Sequence, residues 1–256
     1  MKLDKPVPGG PCWAEVGCPD LEAGRRFYSA VFGWRTESDT REEMGGYTIA
    51  YLADAPVAAL VPLGEESPSQ PVVWYVTFAV ADLDATVAKV RSAGGSVVYE
   101  AGDVPGMGRF ASVTDPQGAA FQLWQERGFA GAGVFNAPGS LGWVELLTRA
   151  PEEAKAFYTT VFGWSVNASE RYTQWGLDGA DFGGMVTMDD KFPHEVPAHW
   201  LPYFAAADVD TTAAEATQAG GTVLMEPTSV PDGPRIAVLR DQQGAMFGVY
   251  DAAYER

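Results

Sequence analysis

The octapeptide FYSAVFGW at residues 27–34 returns as FYTTVFGW at 157–164, 130 positions later. A repeat offset near half of a 256-residue chain favours two domains over one large one. The match begins before the octapeptide. CWAEVGCPDLEAGRRFYSAVFGW (12–34) aligns with GWVELLTRAPEEAKAFYTTVFGW (142–164), which sets Trp13 against Trp143, Glu15 against Glu145 and Glu22 against Glu152. Later, WYVTFAVADLDATVAKVRSAGGSVVYE (74–100) aligns with WLPYFAAADVDTTAAEATQAGGTVLME (200–226), and RFASVTDPQGAAFQLW (109–124) aligns with RIAVLRDQQGAMFGVY (235–250). Periods this long mean duplicated domains and not a solenoid.

Each half contains two similar sub-units. In residues 12–63 a strand (WAEV) leads to Asp20, a good helix N-cap. A helix follows, with Phe27/Val31 and Tyr28/Phe32 as apolar pairs four apart, and Gly33 ends it. Three strand-like runs come next: WRTES, YTIAYLA and VAALVPL. Residues 72–125 repeat the order, with VWYVTFAV, a helix from Asp82 to Gly94-Gly95, then SVVYE, RFASVT and AAFQLWQ. The second half does the same, with Pro151 at a first helical position and Gly220-Gly221 as a stop. The prediction is an α+β chain of four βαβββ modules. The segment RGFAGAGVFNAPGS (127–140) has no period and reads as a linker. The expected domains are therefore 8–127 and 141–253, joined by 128–140.

Four βαβββ modules, FY-x-x-VFGW after the first helix and D-P-x-G-x-x-F-x-L in the last hairpin resemble the vicinal oxygen chelate superfamily. That group includes glyoxalases, extradiol dioxygenases and bleomycin-resistance proteins. DPQGAAFQLW (115–124) is a specific match; DQQGAMFGVY (241–250) is looser, since Gln242 replaces the proline. The resemblance implies two fused glyoxalase-like domains with sheets wrapped into cups. It also implies a metal ligand on the first strand of each module and a Glu on the last strand of a cup. In this sequence those positions fall on Trp13, Tyr75 and Gln122, and on Trp143, Leu201 and Gly248. A divalent ion needs three or more hard or imidazole ligands converging at about 2 Å, and neither half offers a His or carboxylate there. No metal site and no cofactor are expected. The chain has two histidines, His194 in a loop by composition and His199 two residues before Leu201 on a strand.

Glu15 and Glu145 follow their tryptophans by two residues and so share a strand face with them. Either they are general bases or ligand acceptors, or they are satisfied by a neighbouring Tyr, Trp N–H or Arg. Alternation predicts cup faces with Trp13, Glu15, Tyr75, Thr77, Gln122 and Trp124 in the first half. In the second it predicts Trp143, Glu145, Leu201, Tyr203, Met246 and Tyr250, with His199 nearby. Of these, Trp13, Tyr75, Gln122, Trp124, Trp143, His199, Tyr203 and Tyr250 are the expected ligand-binding residues, and Glu15 and Glu145 the candidate catalytic ones. Aromatic walls with a few polar groups suit flat organic molecules; equally, inward-facing aromatic residues fill small barrels.

The expected function is metal-independent binding of a small, planar or aromatic molecule such as an antibiotic or secondary metabolite. One alternative is a cofactor-free enzyme (isomerase, lyase or hydroxylase-like) using Glu15 or Glu145 as acid/base. Another is a metal-dependent glyoxalase or dioxygenase. With 34 acidic against 17 basic residues and a formal charge of −17, nucleic-acid binding is not expected. No run of 18 apolar residues appears, so no membrane contact is expected. Cys12 and Cys18 lie six apart on one strand, about 20 Å at 3.3 Å per residue, too far for a disulfide; reduced thiols and a cytoplasmic location are expected. The assembly expected is a monomer acting as a pseudo-dimer, or a homodimer.

Overall fold

Every predicted helix forms where its capping signals put it. The computed structural model describes residues 6–64, 71–169 and 172–254. The first module opens with β1 (Pro11–Cys18), buried at every position except Glu15. Asp20 is extended, and its side chain accepts the Ala23 N–H at 2.9 Å, which starts α1 (Leu21–Phe32). Gly33 ends it in the left-handed conformation, φ 69°. β2 (Arg35–Ser38), β3 (Thr48–Leu52) and β4 (Ala55–Pro62) follow, with a short 3-10 turn at Glu42–Met44 that the strand pattern did not signal. The second module is β5 (Trp74–Ala79), α2 (Leu83–Ser92), β6 (Ser96–Val104), β7 (Gly108–Thr114) and β8 (Ala120–Glu126). The third is β9 (Leu141–Thr148), α3 (Pro151–Phe162), β10 (Ser165–Ala168), β11 (Tyr172–Leu177) and β12 (Ala180–Thr187). The fourth is β13 (His199–Ala206), α4 (Val209–Gln218), β14 (Thr222–Ser229), β15 (Arg235–Arg240) and β16 (Met246–Asp251).

Within each module the last three strands form an antiparallel meander, and the final strand lies parallel to the first. A parallel return needs a crossover, which the helix at the start of each module begins. The registers place Glu15 opposite Ala59, Thr77 opposite Gln122, Glu145 opposite Gly184 and Tyr203 opposite Gly248. The strands joined in these four parallel pairs carry all ten of the candidate site residues named from the sequence.

As expected of two fused domains, each half of the chain builds one eight-stranded sheet, in the order β2-β3-β4-β1-β5-β8-β7-β6 in the first half and β10-β11-β12-β9-β13-β16-β15-β14 in the second. By packing, the chain also divides into two compact units that do not follow the two halves. One contains the second and third modules: the chain through Trp13, then Tyr75–Gly131 and Trp143–Leu201. The other contains the first and fourth: Ala14–Trp74, Ala132–Gly142 and the chain from Pro202 on. The repeated motifs hold each unit together. In the unit of modules one and four, Tyr28 of FYSAVFGW donates to Asp241 Oδ2 at 2.8 Å, and Trp74 Nε1 donates to the Tyr28 hydroxyl at 3.0 Å. Asp241 Oδ1 accepts the backbone N–H groups of Gln243, Gly244 and Ala245. In the unit of modules two and three, Tyr158 donates to Asp115 Oδ2 at 3.2 Å, Trp200 donates to Tyr158 at 3.0 Å, and Asp115 Oδ1 accepts from Gln117 and Ala119. Burial pushes both phenols well above the ordinary tyrosine range, so each is a neutral donor.

Aromatic packing surrounds each network. The Tyr28 ring lies 5.5 Å from Trp34 and 5.9 Å from Phe247. The Tyr158 ring stacks on Trp164 at 5.1 Å. Each motif tryptophan also secures a chain segment within its own unit: Trp34 Nε1 donates to the Gly139 carbonyl at 2.8 Å, and Trp164 Nε1 to the Gly9 carbonyl at 2.6 Å. The octapeptide is thus scaffold. Cys12 and Cys18 are free and buried; burial pushes the Cys18 thiol up to about 12 and raises Cys12 as well. Among the described residues no helix is long and apolar enough to cross a membrane.

Candidate functional site

Each first-strand glutamate has a tyrosine partner. In the unit of modules two and three, β9 carries Trp143 and Glu145, both half-buried. Trp143 Nε1 donates to the Tyr172 hydroxyl at 2.9 Å, and that hydroxyl donates to Glu145 Oε1 at 2.9 Å. The ring fits because the residue opposite Glu145 is Gly184; a Cβ there would come closer than 3 Å to the Tyr172 ring and hydroxyl. In the unit of modules one and four, Tyr47 donates to Glu15 Oε2 at 2.8 Å, and the residue opposite Glu15 is Ala59. Sequence reasoning missed these two tyrosines. The available signal was the dipeptide Tyr-Thr at the start of each module's third strand, 47–48 and 172–173.

The second-module face is amphipathic. The Thr77 hydroxyl donates to Gln122 Oε1 at 2.7 Å, which fixes the orientation of a buried amide. Two residues before Thr77 on β5, Tyr75 is half-buried. Trp124 Nε1 donates to the Phe129 carbonyl at 2.7 Å, and Trp13 meets the Phe129 ring edge-on at 5.1 Å. Phe129, in the linker region, therefore brings Trp13 and Trp124 together within this unit. His199 is half-buried at the start of β13, with Nδ1 2.9 Å from the Pro197 carbonyl. Burial lowers its affinity for a second proton, against a smaller opposing effect of that hydrogen bond.

The fourth-module face, in the other unit, is built from tyrosine and glycine. Tyr203 is buried, and a Cβ on the opposing Gly248 would come closer than 3 Å to its ring. Tyr250 is also buried; its hydroxyl donates to Asn136 Oδ1 at 3.0 Å and lies against the backbone of Gly142, where a Cβ would again be closer than 3 Å. Gly248 stands where the resemblance puts a metal-binding Glu, and the Tyr203 ring takes up the room beside it.

A metal requires donors, and the six expected positions hold two tryptophans, a leucine, a glycine, a tyrosine and a glutamine. Among the described residues no three His, Cys, Asp or Glu side chains come together in a way that could hold an ion. The residues present do not fit the fold's metal. What they supply is two phenol-bound carboxylates, one oriented amide and aromatic faces.

The sequence matches the profile of the Glyoxalase/Bleomycin resistance protein/Dioxygenase superfamily over residues 12–123 and 140–249. It is 40% identical over 252 residues to the protein named "Putative glyoxylase CFP32" of Mycobacterium tuberculosis, covering 96% of this chain and 95% of that one. It is 35% identical over 262 residues to anthracycline biosynthesis protein DnrV of Streptomyces peucetius, covering 96% and 94%. In fold it is similar to the Mn(II)-bound glyoxalase from Novosphingobium aromaticivorans, with TM-score 0.69 and 16% identity over 99% of this chain and 84% of that one.

Proposed function

Because this chain belongs to the Glyoxalase/Bleomycin resistance protein/Dioxygenase superfamily, we propose that it uses that fold without the metal, to bind a small, planar, aromatic organic molecule. The observation that carries this reading is the residue set at the six expected ligand positions, where indoles, a phenol, an amide, a leucine and a glycine stand. Such groups stack on flat rings and satisfy a few polar edges; of them only the phenol and the amide carry a donor oxygen, fewer than the three or more an ion needs. The name of the Streptomyces peucetius relative supports the ligand class, since an anthracycline is a flat polycyclic aromatic. In this reading the molecule is an antibiotic or secondary metabolite, and the protein holds it without changing it.

Two measurements test the proposal together. Elemental analysis of purified protein is expected to find no stoichiometric Fe, Mn, Ni or Zn. A thermal-shift panel of planar aromatics, with 1,4-dihydroxyanthraquinone as the first probe, is expected to raise Tm. Ligand at 100 times its Kd stabilises by about 2.7 kcal/mol. A stoichiometric metal, or a flat response across the panel, overturns the reading.

A second reading has one specific observation behind it. Both halves keep the glutamate, and both give it a phenol hydrogen bond, at 2.8 Å for Glu15 and 2.9 Å for Glu145. A carboxylate held in one orientation is what proton abstraction from a ketone-like metabolite requires. In that case Glu15→Gln or Glu145→Gln abolishes turnover while ligand still binds; unchanged turnover in both variants refutes it.

A further inference from the structure

We propose that the first module carries a second binding site, in the groove between α1 and β2, for a small molecule bearing a phosphate group. None of the ten candidate residues above lines this groove, so it stands apart from the aromatic-ligand reading.

The groove is open, with a volume of about 650 Å³, which is room for a whole small molecule. Its walls hold three guanidinium groups, those of Arg25, Arg26 and Arg35, beside Glu22, Ser29 and Thr36. The chain as a whole has 17 basic against 34 acidic residues. Three arginines around one groove reverse that balance locally, even with Glu22 and the neighbouring Glu37 counted against them. At about 0.15 M salt the Debye length is about 8 Å, so a bound ligand responds to the charges lining the groove more than to the total.

Two of the arginines are held in place and the third has no partner. Arg25 donates from Nε to Thr36 Oγ1 at 3.0 Å and from its terminal nitrogens to Glu22 Oε1 at 2.7 Å and Ser38 Oγ at 3.3 Å. Those bonds leave two of the five N–H groups of a guanidinium unused. Arg35 lies over the Tyr51 ring, 4.8 Å from its centroid, and pairs with Glu37. Glu22 and Glu37 are 64% and 60% exposed, and ion pairs with carboxylates that open to water are weak. An oxyanion can share or displace them. Arg26 is exposed and makes no hydrogen bond or ion pair among the described residues. Guanidinium forks take oxyanions two oxygens at a time, and a phosphate offers three oxygens to divide among several forks, where a carboxylate offers two.

The duplication shows which of these cations the fold needs. At the positions of Arg25, Arg26, Arg35 and Thr36 the second half has Lys155, Ala156, Ser165 and Val166. The ion pair along the helix is kept, Lys155 with Glu152 at 2.8 Å. The other two cations are not, and α3 and β10 form without them. Arg26 and Arg35 are therefore not demanded by the module's folding.

An NMR titration of the full chain with pyrophosphate at about 0.15 M NaCl tests this, with citrate as a carboxylate of similar charge. Pyrophosphate is expected to saturate at one per chain, with Kd of about 1 mM or lower and amide shifts confined to α1 and β2. Citrate is expected to bind more weakly. Arg26→Gln should weaken pyrophosphate binding about tenfold, the loss of one charge-assisted hydrogen bond. Arg240→Gln makes the same charge change at another exposed arginine and should leave Kd unchanged. No saturation, shifts centred elsewhere, citrate binding as tightly as pyrophosphate, or equal losses in the two variants overturns the inference. The aromatic-ligand reading is untouched by any of these results.

Discussion

Tyr28 and Asp241 share a 2.8 Å hydrogen bond across 213 positions of chain. Tyr158 and Asp115 make the twin contact 43 positions apart. One signature motif thus finds the other in each compact unit, and in both units the partner comes from the opposite half. Removing the phenol oxygen at Tyr28 strands an oxygen of the buried Asp241 carboxylate and the indole N–H of buried Trp74. Tyr28→Phe should cost about 1–3 kcal/mol for each stranded group, read as a lower urea midpoint. Tyr158→Phe should behave alike, because its network is the same.

Phe27 sits edge-on to Tyr28 at 5.0 Å and is 1% exposed. Phe27→Ala should lose about 3–5 kcal/mol. The check is equilibrium unfolding of the full chain; an unchanged midpoint contradicts the scaffold role of the motif.

Gly248 has no room for a Cβ while the Tyr203 ring lies against it. Gly248→Ala should destabilise by about 1–3 kcal/mol through overpacking. In a Tyr203→Thr background Gly248→Ala should cost less, since the ring is the obstacle. A double-mutant cycle measures the coupling; strict additivity would show that the ring is not what the glycine accommodates.

His199 should make the fold acid-sensitive. Burial lowers its folded-state value below the usual 6.5. As pH falls through 6.5, the unfolded chain takes up the proton before the folded one does, so the unfolded state binds more protons and stability drops. The loss continues until the pH passes below the folded value. Denaturant midpoints at pH 7.5 and 5.5 should therefore converge in His199→Gln relative to wild type; an identical pH slope in the two proteins refutes it.

Local chemistry made most of the fold legible. Asp20 and Asp82 cap α1 and α2 through the backbone N–H three residues on, at 2.9 Å each, and Gly33 and Gly163 end α1 and α3 at positive φ. Those signals need only a few neighbouring residues. The pairing of modules does not work that way. Tyr28 has two chemically equivalent acceptors available in the sequence, Asp115 and Asp241, and no local rule separates them. The partners of Glu15 and Glu145 were hidden for a related reason. Tyr47 and Tyr172 look like ordinary strand residues until β3 and β11 bring them back to the first strand of their modules. The fit of Tyr203 to Gly248 needs the parallel register of β13 and β16, which alternation along one strand cannot supply.

The crossed pairing has a consequence during synthesis. The side of α1 that bears Tyr28 faces Asp241 and Phe247 of the fourth module as well as Trp34 and Trp74, so on the ribosome its acceptor and part of its packing are missing until the last strands have been made. At about 5–20 residues per second, 213 residues take about 10–40 s. Throughout that interval the Tyr28 phenol is without Asp241 and its ring without Phe247. Asp115 of the same chain, the equivalent acceptor, is made before Asp241. The order of translation, and not only the folded minimum, bears on which of the two acceptors Tyr28 meets first.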